Sequence, residues 1–380
     1  MRKKIIICSN ILWTITQFRL GLIKALMHAG YEVICIADVD DFSILSEKKI
    51  AKVGASFIKL PMNRKGINPV LDFVYFLKLC KIFKIEKPDV VFNYTIKPII
   101  YGSIAANLLN IPSFAITTGL GYVFSRNNIL TKFVRLLYRY SLRFPKKIFF
   151  LNKDDAEVFI QSKIVDKIKT VLLPGEGIDT TYYCPEKESS ANQTVTFLLF
   201  GRLLWEKGVG EYVEAAKQIK LNLHLNVKFQ LVGYIDQDNP GGIKREQIQK
   251  WEDNGIINYL GITEDIIPLI SGVDCVVLPS YYREGVPRSL LEAASMAKPI
   301  ITADSVGCKE VVDDKLTGLI CQPRNTNDLL EKMLFMINLT SAERIRMGKN
   351  GRMKMISEFE ETIVIKMYFE ELKKFLPPDH

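Results

Sequence analysis

The chain has 380 residues, room for two domains of ordinary size, and its 48% hydrophobic and 24% charged content excludes a disordered protein. A formal net charge of +9 makes the surface basic, which suits phosphorylated substrates, anionic lipid or nucleic acid without choosing among them. The seven cysteines are scattered with no Cys-x-x-Cys pair and the three histidines are dispersed, so neither a disulfide framework nor a zinc cluster is expected. Met1 to Lys4 has the charge of a signal-peptide start, but the apolar run behind it, Ile5 to Cys8, is too short. No stretch approaches the ~20 apolar residues of a spanning helix. The sequence therefore predicts a cytoplasmic protein that can touch a membrane only peripherally.

Residues 4–8 form a β-branched, buried run, the pattern of a parallel strand. A loop over Ser9 to Thr16, a helix over about 17–28 stopped by Gly30, and a strand over 33–37 follow, a Rossmann-like opening without a G-x-G-x-x-G phosphate loop. Further strands are predicted at 56–60, 90–93, 113–117, 147–151 and 169–173, with helices between them. That alternation implies a parallel sheet covered on both faces, with the strands' carboxyl-end loops facing the ligand. These loops are Asn10 to Thr16, Tyr94 to Lys97, and Thr117 to Tyr122.

Two helices of this half are basic and apolar together. Residues 68–87 carry Phe73, Tyr75, Phe76 and Phe83 with Lys78, Lys81 and Lys84. Residues 126–147 carry seven basic residues and no acidic one. On a helical wheel Lys132, Arg135, Arg139 and Arg143 form one stripe beside an apolar stripe of Phe133, Leu136, Leu137, Tyr140 and Phe144. Two readings stand: a core-facing helix with a solvated basic face, or an interfacial helix resting on anionic lipid. Nucleic acid is not expected, because no zinc-finger or RNP-type motif accompanies the charge.

From Pro174 to Ser190 the chain turns polar and turn-rich, and residues 179–190 read as an interdomain linker. The domains are then 1–178 and 191–358. A second strand series follows, at 195–200, 227–232, 256–260, 274–278, 299–302 and 318–321, and the tail from about 341 is helical.

The chemistry gathers in this second half. An apolar run ends at Pro279, a polar loop follows, and Pro287 opens a helix where a missing N–H costs nothing. Glu284 precedes that helix and Glu292 lies inside it. Between them Gly285 and Val286 offer backbone N–H groups at the positive end of a helix dipole. Gly201, Arg202 and Lys207 follow the first strand of this half: a glycine that lets the backbone approach a ligand, and two fixed cations that would neutralise a diphosphate. An anionic middle with hydroxyl-rich ends describes a nucleoside diphosphate sugar.

Gly201-Arg202 with Glu206-Lys207-Gly208, and Glu284 with Glu292 in an E-x7-E pattern, resemble the retaining glycosyltransferases of family 4. The resemblance covers essentially the whole chain. The run from Tyr94 to Ser103, Thr118-Gly-Leu-Gly-Tyr-Val-Phe and Leu137-Tyr-Arg are similar to a bacterial subgroup that acts on undecaprenyl-diphosphate-linked saccharides. The resemblance implies an α/β GT-B fold, two Rossmann-like parallel-sheet domains facing across a cleft, with the last helix, about 359–377, crossing back to the N-terminal domain. It implies that Arg202 and Lys207 hold the donor diphosphate, that Glu292 binds ribose hydroxyls and Glu284 the transferred sugar, and that Gly285 and Val286 touch sugar or phosphate. Gly261, Ile262 and Thr263 would lie by the base, and Arg288 would frame the leaving diphosphate. The donor would be a UDP-sugar used as substrate with no cofactor and no metal, and the acceptor a lipid-linked saccharide at the cytoplasmic face of the inner membrane. Many family members carry two glycines in the first N-terminal loop. This chain has none between Ser9 and Thr16, which argues against phosphate contact there. A UDP-sugar epimerase of the same fold and a non-catalytic sugar-nucleotide or lipid-binding protein remain as alternatives. The first predicts a changed sugar with donor alone, the second no transfer at all.

Overall fold

A computed structural model describes residues 2–40, 42–63, 68–120, 129–185, 194–223, 225–237 and 239–376. The chain divides into two compact units: 1–177 with 361–380, and 178–360.

In the first unit seven parallel strands stand in the order β3-β2-β1-β4-β5-β6-β7. They are β1 (Lys4–Ile11), β2 (Glu32–Asp38), β3 (Ser56–Lys59), β4 (Val90–Tyr94), β5 (Ser113–Thr117), β6 (Lys147–Phe150) and β7 (Thr170–Leu172). The helices are α1 (Leu12–Phe18), α2 (Leu20–His28), α3 (Ser43–Lys52), α4 (Pro69–Glu86), α5 (Ser103–Leu108), α6 (Ile129–Ser141) and α7 (Lys153–Gln161). Ile5 to Cys8 are wholly buried because helices cover both faces of the sheet, so this strand has no polar side to alternate. Asn68 caps α4, accepting from the N–H groups of Val70 and Leu71 at 3.1 and 3.2 Å, and Lys87 ends it in the left-handed conformation.

The expected loop over Ser9 to Thr16 is corrected: β1 runs on to Ile11 and a separate helix begins at Leu12. Leu12 and Ile15, three apart, are buried in the core, and their packing outweighs the polar residues around them. The helix expected to reach Lys147 stops at Ser141, and Lys147 opens β6. Of the two readings of its apolar stripe, the core-facing one is corrected. Val134, Tyr138 and Leu142 face the core, and Phe133, Leu136 and Tyr140 are exposed.

The second unit has six parallel strands in the order β10-β9-β8-β11-β12-β13. They are β8 (Val195–Phe200), β9 (Val227–Val232), β10 (Asn258–Tyr259), β11 (Cys275–Leu278), β12 (Ile300–Ala303) and β13 (Gly318–Cys321). Its helices are α8 (Val209–Lys217), α9 (Arg245–Asp253), α10 (Ile267–Ser271), α11 (Arg288–Ser295), α12 (Thr326–Asn338) and α13 (Ser341–Lys354). A π-type turn, Met355–Phe359, ends the unit, and α14 (Glu361–Lys373) belongs to the first. There Val364, Tyr368 and Leu372 are buried, and Tyr368 stacks within 5.7 Å of Phe92 and 4.8 Å of Phe149. Each such side chain contributes roughly 1.5–3 kcal/mol by leaving water.

The linker expectation over 179–190 is corrected in part. Residues up to 185 belong to the second unit, with Thr180 and Tyr183 buried. Arg352 donates to the carbonyls of Thr180 and Tyr183, both at 3.1 Å, and the Thr180 hydroxyl bonds the Glu360 carboxylate. Turn-forming composition reports that the chain bends here; it does not report that the bend is docked. Residues 186–193 lie outside the described ones.

Candidate functional site

In the second sheet the strand order reverses between β8 and β11, and the loops leaving these two strands meet at its carboxyl end, the usual ligand position of an open α/β sheet. After β8 the chain makes a short turn, Trp205–Lys207, ended by Gly208 at φ +77°. A Cβ on Gly208 would lie 2.3 Å from the Pro279 carbonyl oxygen, so only glycine lets this turn press against the end of β11. The Glu206 carbonyl then accepts from the N–H groups of Tyr281 and Tyr282, each at 3.0 Å, and from the Ser280 hydroxyl at 3.3 Å.

This stitching brings Lys207 to Glu284. Their side chains form an ion pair, 12% and 13% exposed. Ser280 donates to the same carboxylate at 3.3 Å. Arg202 is exposed, yet its charge reaches Tyr282: burial raises the Tyr282 pKa, Arg202 opposes the rise, and Glu284 adds to it. Two cations and a carboxylate therefore share one loop pair.

Three glycines extend the ladder beyond the strands. Gly201 donates to the Val232 carbonyl at 3.0 Å and Gly233 to the Gly261 carbonyl at 2.8 Å. A Cβ on Gly233 would lie 1.7 Å from the Gly201 oxygen, so the two backbones touch where no side chain fits. Ile262 is exposed beyond Gly261, while the Thr263 hydroxyl is taken up by a local turn, donating to the Asp265 carbonyl at 2.7 Å.

The helix bearing Glu292 begins at Arg288, with Pro287 as its cap. Val286 anchors the entry to that helix, packed with Leu290 and Cys308 in the core. Gly285 is buried, and Gly307 presses on its backbone: a Cβ there would lie 2.4 Å from the Gly285 oxygen. Glu292 is nearly buried and accepts from Arg288 Nε at 3.0 Å. Burial pushes its carboxyl above the usual range, against the lowering effect of Arg288. Arg288 is thus directed at Glu292 and Tyr183. Among the described residues no three His, Cys, Asp or Glu side chains gather as a metal-binding group.

Sequence reasoning missed Gly307 and Tyr183. Gly307 carried a readable signal, a glycine just past a strand's carboxyl end. Tyr183 carried none, since it lies far from the motifs and inside a turn-rich stretch.

The first unit's predicted loops are less open than expected. The Ser9 and Thr14 hydroxyls bond each other at 2.9 Å. Lys97 pairs with the buried Asp72 at 2.5 Å, and Thr95 is held at φ +66°. Arg19 is buried against Glu176 at 2.5 Å, over the Tyr94 ring at 4.1 Å, and donates to the Thr14 carbonyl at 2.7 Å. Of the 117–122 loop, residues 121 and 122 lie outside the described ones.

Two family models match the chain: Glycosyl transferase 4-like over residues 4–152 and Glycosyl transferases group 1 over residues 185–354. The chain is 29% identical over 373 residues to the N,N'-diacetylbacillosaminyl-diphospho-undecaprenol alpha-1,3-N-acetylgalactosaminyltransferase of Campylobacter jejuni, covering 94% of this chain and 95% of that one. It is 28% identical to the UDP-Gal:alpha-D-GlcNAc-diphosphoundecaprenol alpha-1,3-galactosyltransferase of Escherichia coli, over 79% of each. In fold it is similar to a glycosyltransferase from Rickettsia africae, with a TM-score of 0.80 and 20% identity over the whole of both chains. The two Rossmann-like parallel sheets are those of the GT-B class. The chain belongs to the glycosyltransferases, with a family 4-like N-terminal half and a group 1 C-terminal half.

Proposed function

We propose that this glycosyltransferase is a retaining enzyme that moves an N-acetylated hexose-type sugar from a UDP-sugar to a polyprenyl-diphosphate-linked saccharide in surface-glycan or glycoprotein-glycan assembly. The observation that carries the reading is the meeting of Lys207 with Glu284, beside Arg202, on the two loops that leave the sheet at its switch point, with Glu292 on the helix that the second loop enters. Both relatives carry an undecaprenyl-diphosphate saccharide in their names, and one names a UDP-sugar donor.

Arg202 and Lys207 would neutralise the donor diphosphate, and the N-terminus of α11 would add its partial positive charge. A diphosphate leaves as a stabilised anion, so the two glutamates need not act as the acid and base of a glycosidase. Glu284 would accept from hydroxyls of the transferred sugar and Glu292 from the ribose. The bond from C1 to the phosphate oxygen breaks while the acceptor oxygen bonds C1 from the same face. The departing phosphate takes the acceptor's proton. The cations supply this charge neutralisation without a metal, and transfer that persists in EDTA is the expected outcome.

The first unit would meet the membrane. Helix α4 exposes Val70, Leu71, Phe73 and Leu77 beside Lys78 and Lys81, and α6 exposes Phe133, Leu136 and Tyr140 beside Lys132 and Arg139. Exposed apolar faces rimmed with cations fit an anionic lipid surface, each cation contributing about 1 kcal/mol near it. No helix among the described residues is long and apolar enough to cross a membrane.

The deciding experiment incubates the protein with UDP-GalNAc, UDP-GlcNAc and UDP-Gal against a polyprenyl-diphosphate saccharide extract, with mass spectrometry of the lipid product and NMR of the new linkage. Addition of one sugar with its anomeric configuration kept is expected. An inverted linkage, transfer only with added Mn²⁺, or epimerised donor without transfer would overturn the reading.

A further inference from the structure

The sheet of the first unit has a switch point of its own, where strand order reverses between β1 and β4, and the segment Thr95 to Gly102 leaves β4 there. Three features set this segment apart. Thr95 is a β-branched residue in the left-handed region, at φ +66°, where such a side chain is an outlier. The Asn93 amide, at the end of β4, and the Thr95 and Ser103 hydroxyls are buried, and among the described residues none of them has a hydrogen-bond partner. Pro98–Gly102 wind as a π-type turn, a form that recurs at functional sites. A segment that only packed would carry none of these costs.

Lys97 supplies the charge. Its ammonium donates to Asp72 Oδ1 of α4 at 2.5 Å, the two side chains being 14% and 5% exposed. Tyr101 donates to the other oxygen, Oδ2, at 3.3 Å. Burial, with Asp72 beside it, pushes the Tyr101 phenol up to about 12, so it stays a donor at neutral pH. A buried ion pair adds little net stability, because desolvation offsets much of the attraction. This one fixes where a cation stands: Thr95 to Lys97 are half-buried, and Pro98 to Ile100 behind them are buried.

The helix on the far side of the pair identifies the ligand. Val70, Leu71, Phe73 and Val74, all within two residues of Asp72, are exposed. A ligand that meets both features has an apolar chain and an anionic group separated by about one helix diameter, ~10–12 Å. A polyprenyl diphosphate has both. An ammonium carries three donors, so Lys97 can stay on Asp72 and still meet phosphate oxygens.

We propose that Lys97 anchors the diphosphate of the lipid-linked acceptor, with the exposed face of α4 around Asp72 taking the first isoprene units of its chain. The inference rests on the reading that the acceptor is a polyprenyl-diphosphate-linked saccharide.

The test measures transfer to a polyprenyl-diphosphate saccharide in neutral detergent, free of anionic phospholipid, for wild type, Lys97→Met and Lys97→Met with Asp72→Asn. Melting temperatures and calorimetric UDP binding are taken on the same preparations. Lys97→Met should raise acceptor KM at least about tenfold, as for loss of a charge-assisted hydrogen bond, and leave UDP affinity within about twofold. Farnesyl diphosphate should compete with the acceptor in wild type and about tenfold more weakly in Lys97→Met. Stranding Asp72 should lower the melting temperature of the single variant. The second substitution should restore it and leave acceptor KM high, which separates binding from folding. Acceptor KM within about twofold of wild type in Lys97→Met, KM that recovers together with the melting temperature, an equal loss of UDP affinity, or farnesyl diphosphate inhibition untouched by Lys97→Met overturns the proposal alone. Wild type that transfers to no polyprenyl-diphosphate acceptor overturns the acceptor reading and the proposal with it.

Discussion

Replacing Lys207 by alanine should produce two losses that can be separated. The cation and Glu284 form a pair with both side chains about seven-eighths buried. At an effective dielectric near 20, opposite charges ~4 Å apart attract by about 4 kcal/mol, and desolvation offsets part of that. Lys207→Ala removes the cation from a carboxylate that Ser280 also meets at 3.3 Å, and leaving that mostly buried charge without its lysine should cost about 1–3 kcal/mol of stability. For a domain of this size that is roughly 2–4 °C in Tm per kcal/mol. Adding Glu284→Gln removes the stranded charge and should restore most of the Tm. Activity should behave otherwise. Loss of one preorganised cation at a leaving group costs about 2.7–4 kcal/mol of transition-state stabilisation, ~10²- to 10³-fold in kcat/KM. The double variant should stay at least as slow, since the cation is still absent. The assay pairs thermal melts with steady-state transfer on the same preparations. Recovery of activity together with Tm in the double variant, or Lys207→Ala within about fivefold of wild-type kcat/KM, would refute the diphosphate role.

Gly233→Ala should cost at least ~2–3 kcal/mol in urea unfolding, because its Cβ meets the Gly201 carbonyl at 1.7 Å. Gly201→Ala, with nothing within 4 Å and only its φ of +142° against it, should cost about 1–2 kcal/mol; equal losses would contradict the close-approach argument. Glu292 should make stability depend on pH. Burial raises its folded-state pKa above the ordinary 4.5, so charging it costs more in the folded than in the unfolded state. The cost is absent below the unfolded value, grows as pH rises through the window between the two values, and is complete above the folded one. The Tm of Glu292→Gln minus that of wild type should therefore increase from pH 4 upward and then level; a flat or falling difference would contradict the shift. Replacing Phe133, Leu136 and Tyr140 by serine should reduce flotation with anionic vesicles and leave Tm unchanged, since all three are exposed. Unchanged flotation would remove α6 from the membrane surface.

How much could be read without the structure differs between the strands and the segments joining them. The strands were legible because a parallel strand covered on both faces is a run of β-branched residues, and Ile5 to Cys8 or Val195 to Phe200 can hardly be anything else. The four candidate site residues could be picked out because Arg202, Lys207, Glu284 and Glu292 lie within two short motifs, each following a strand. The chain alone determined the two α/β series and the chemical character of those four side chains. It could not determine which way α6 turns. A wheel ranks apolar residues but does not see the neighbours, and here Val134 and Tyr138 found the core while Leu136, 62% exposed, did not. Tertiary structure also decided the partners. Lys207 and Glu284 are 77 positions apart in sequence, and they meet because β8 and β11 are adjacent at the point where strand order reverses. Tyr183 meets Arg288 because Arg352 and Ser295 hold its carbonyl against the end of α11. Local pattern encodes what each segment can bury; which segments then come together depends on backbone close approaches, such as Gly208 on Pro279 and Gly307 on Gly285, that involve residues far apart in the chain.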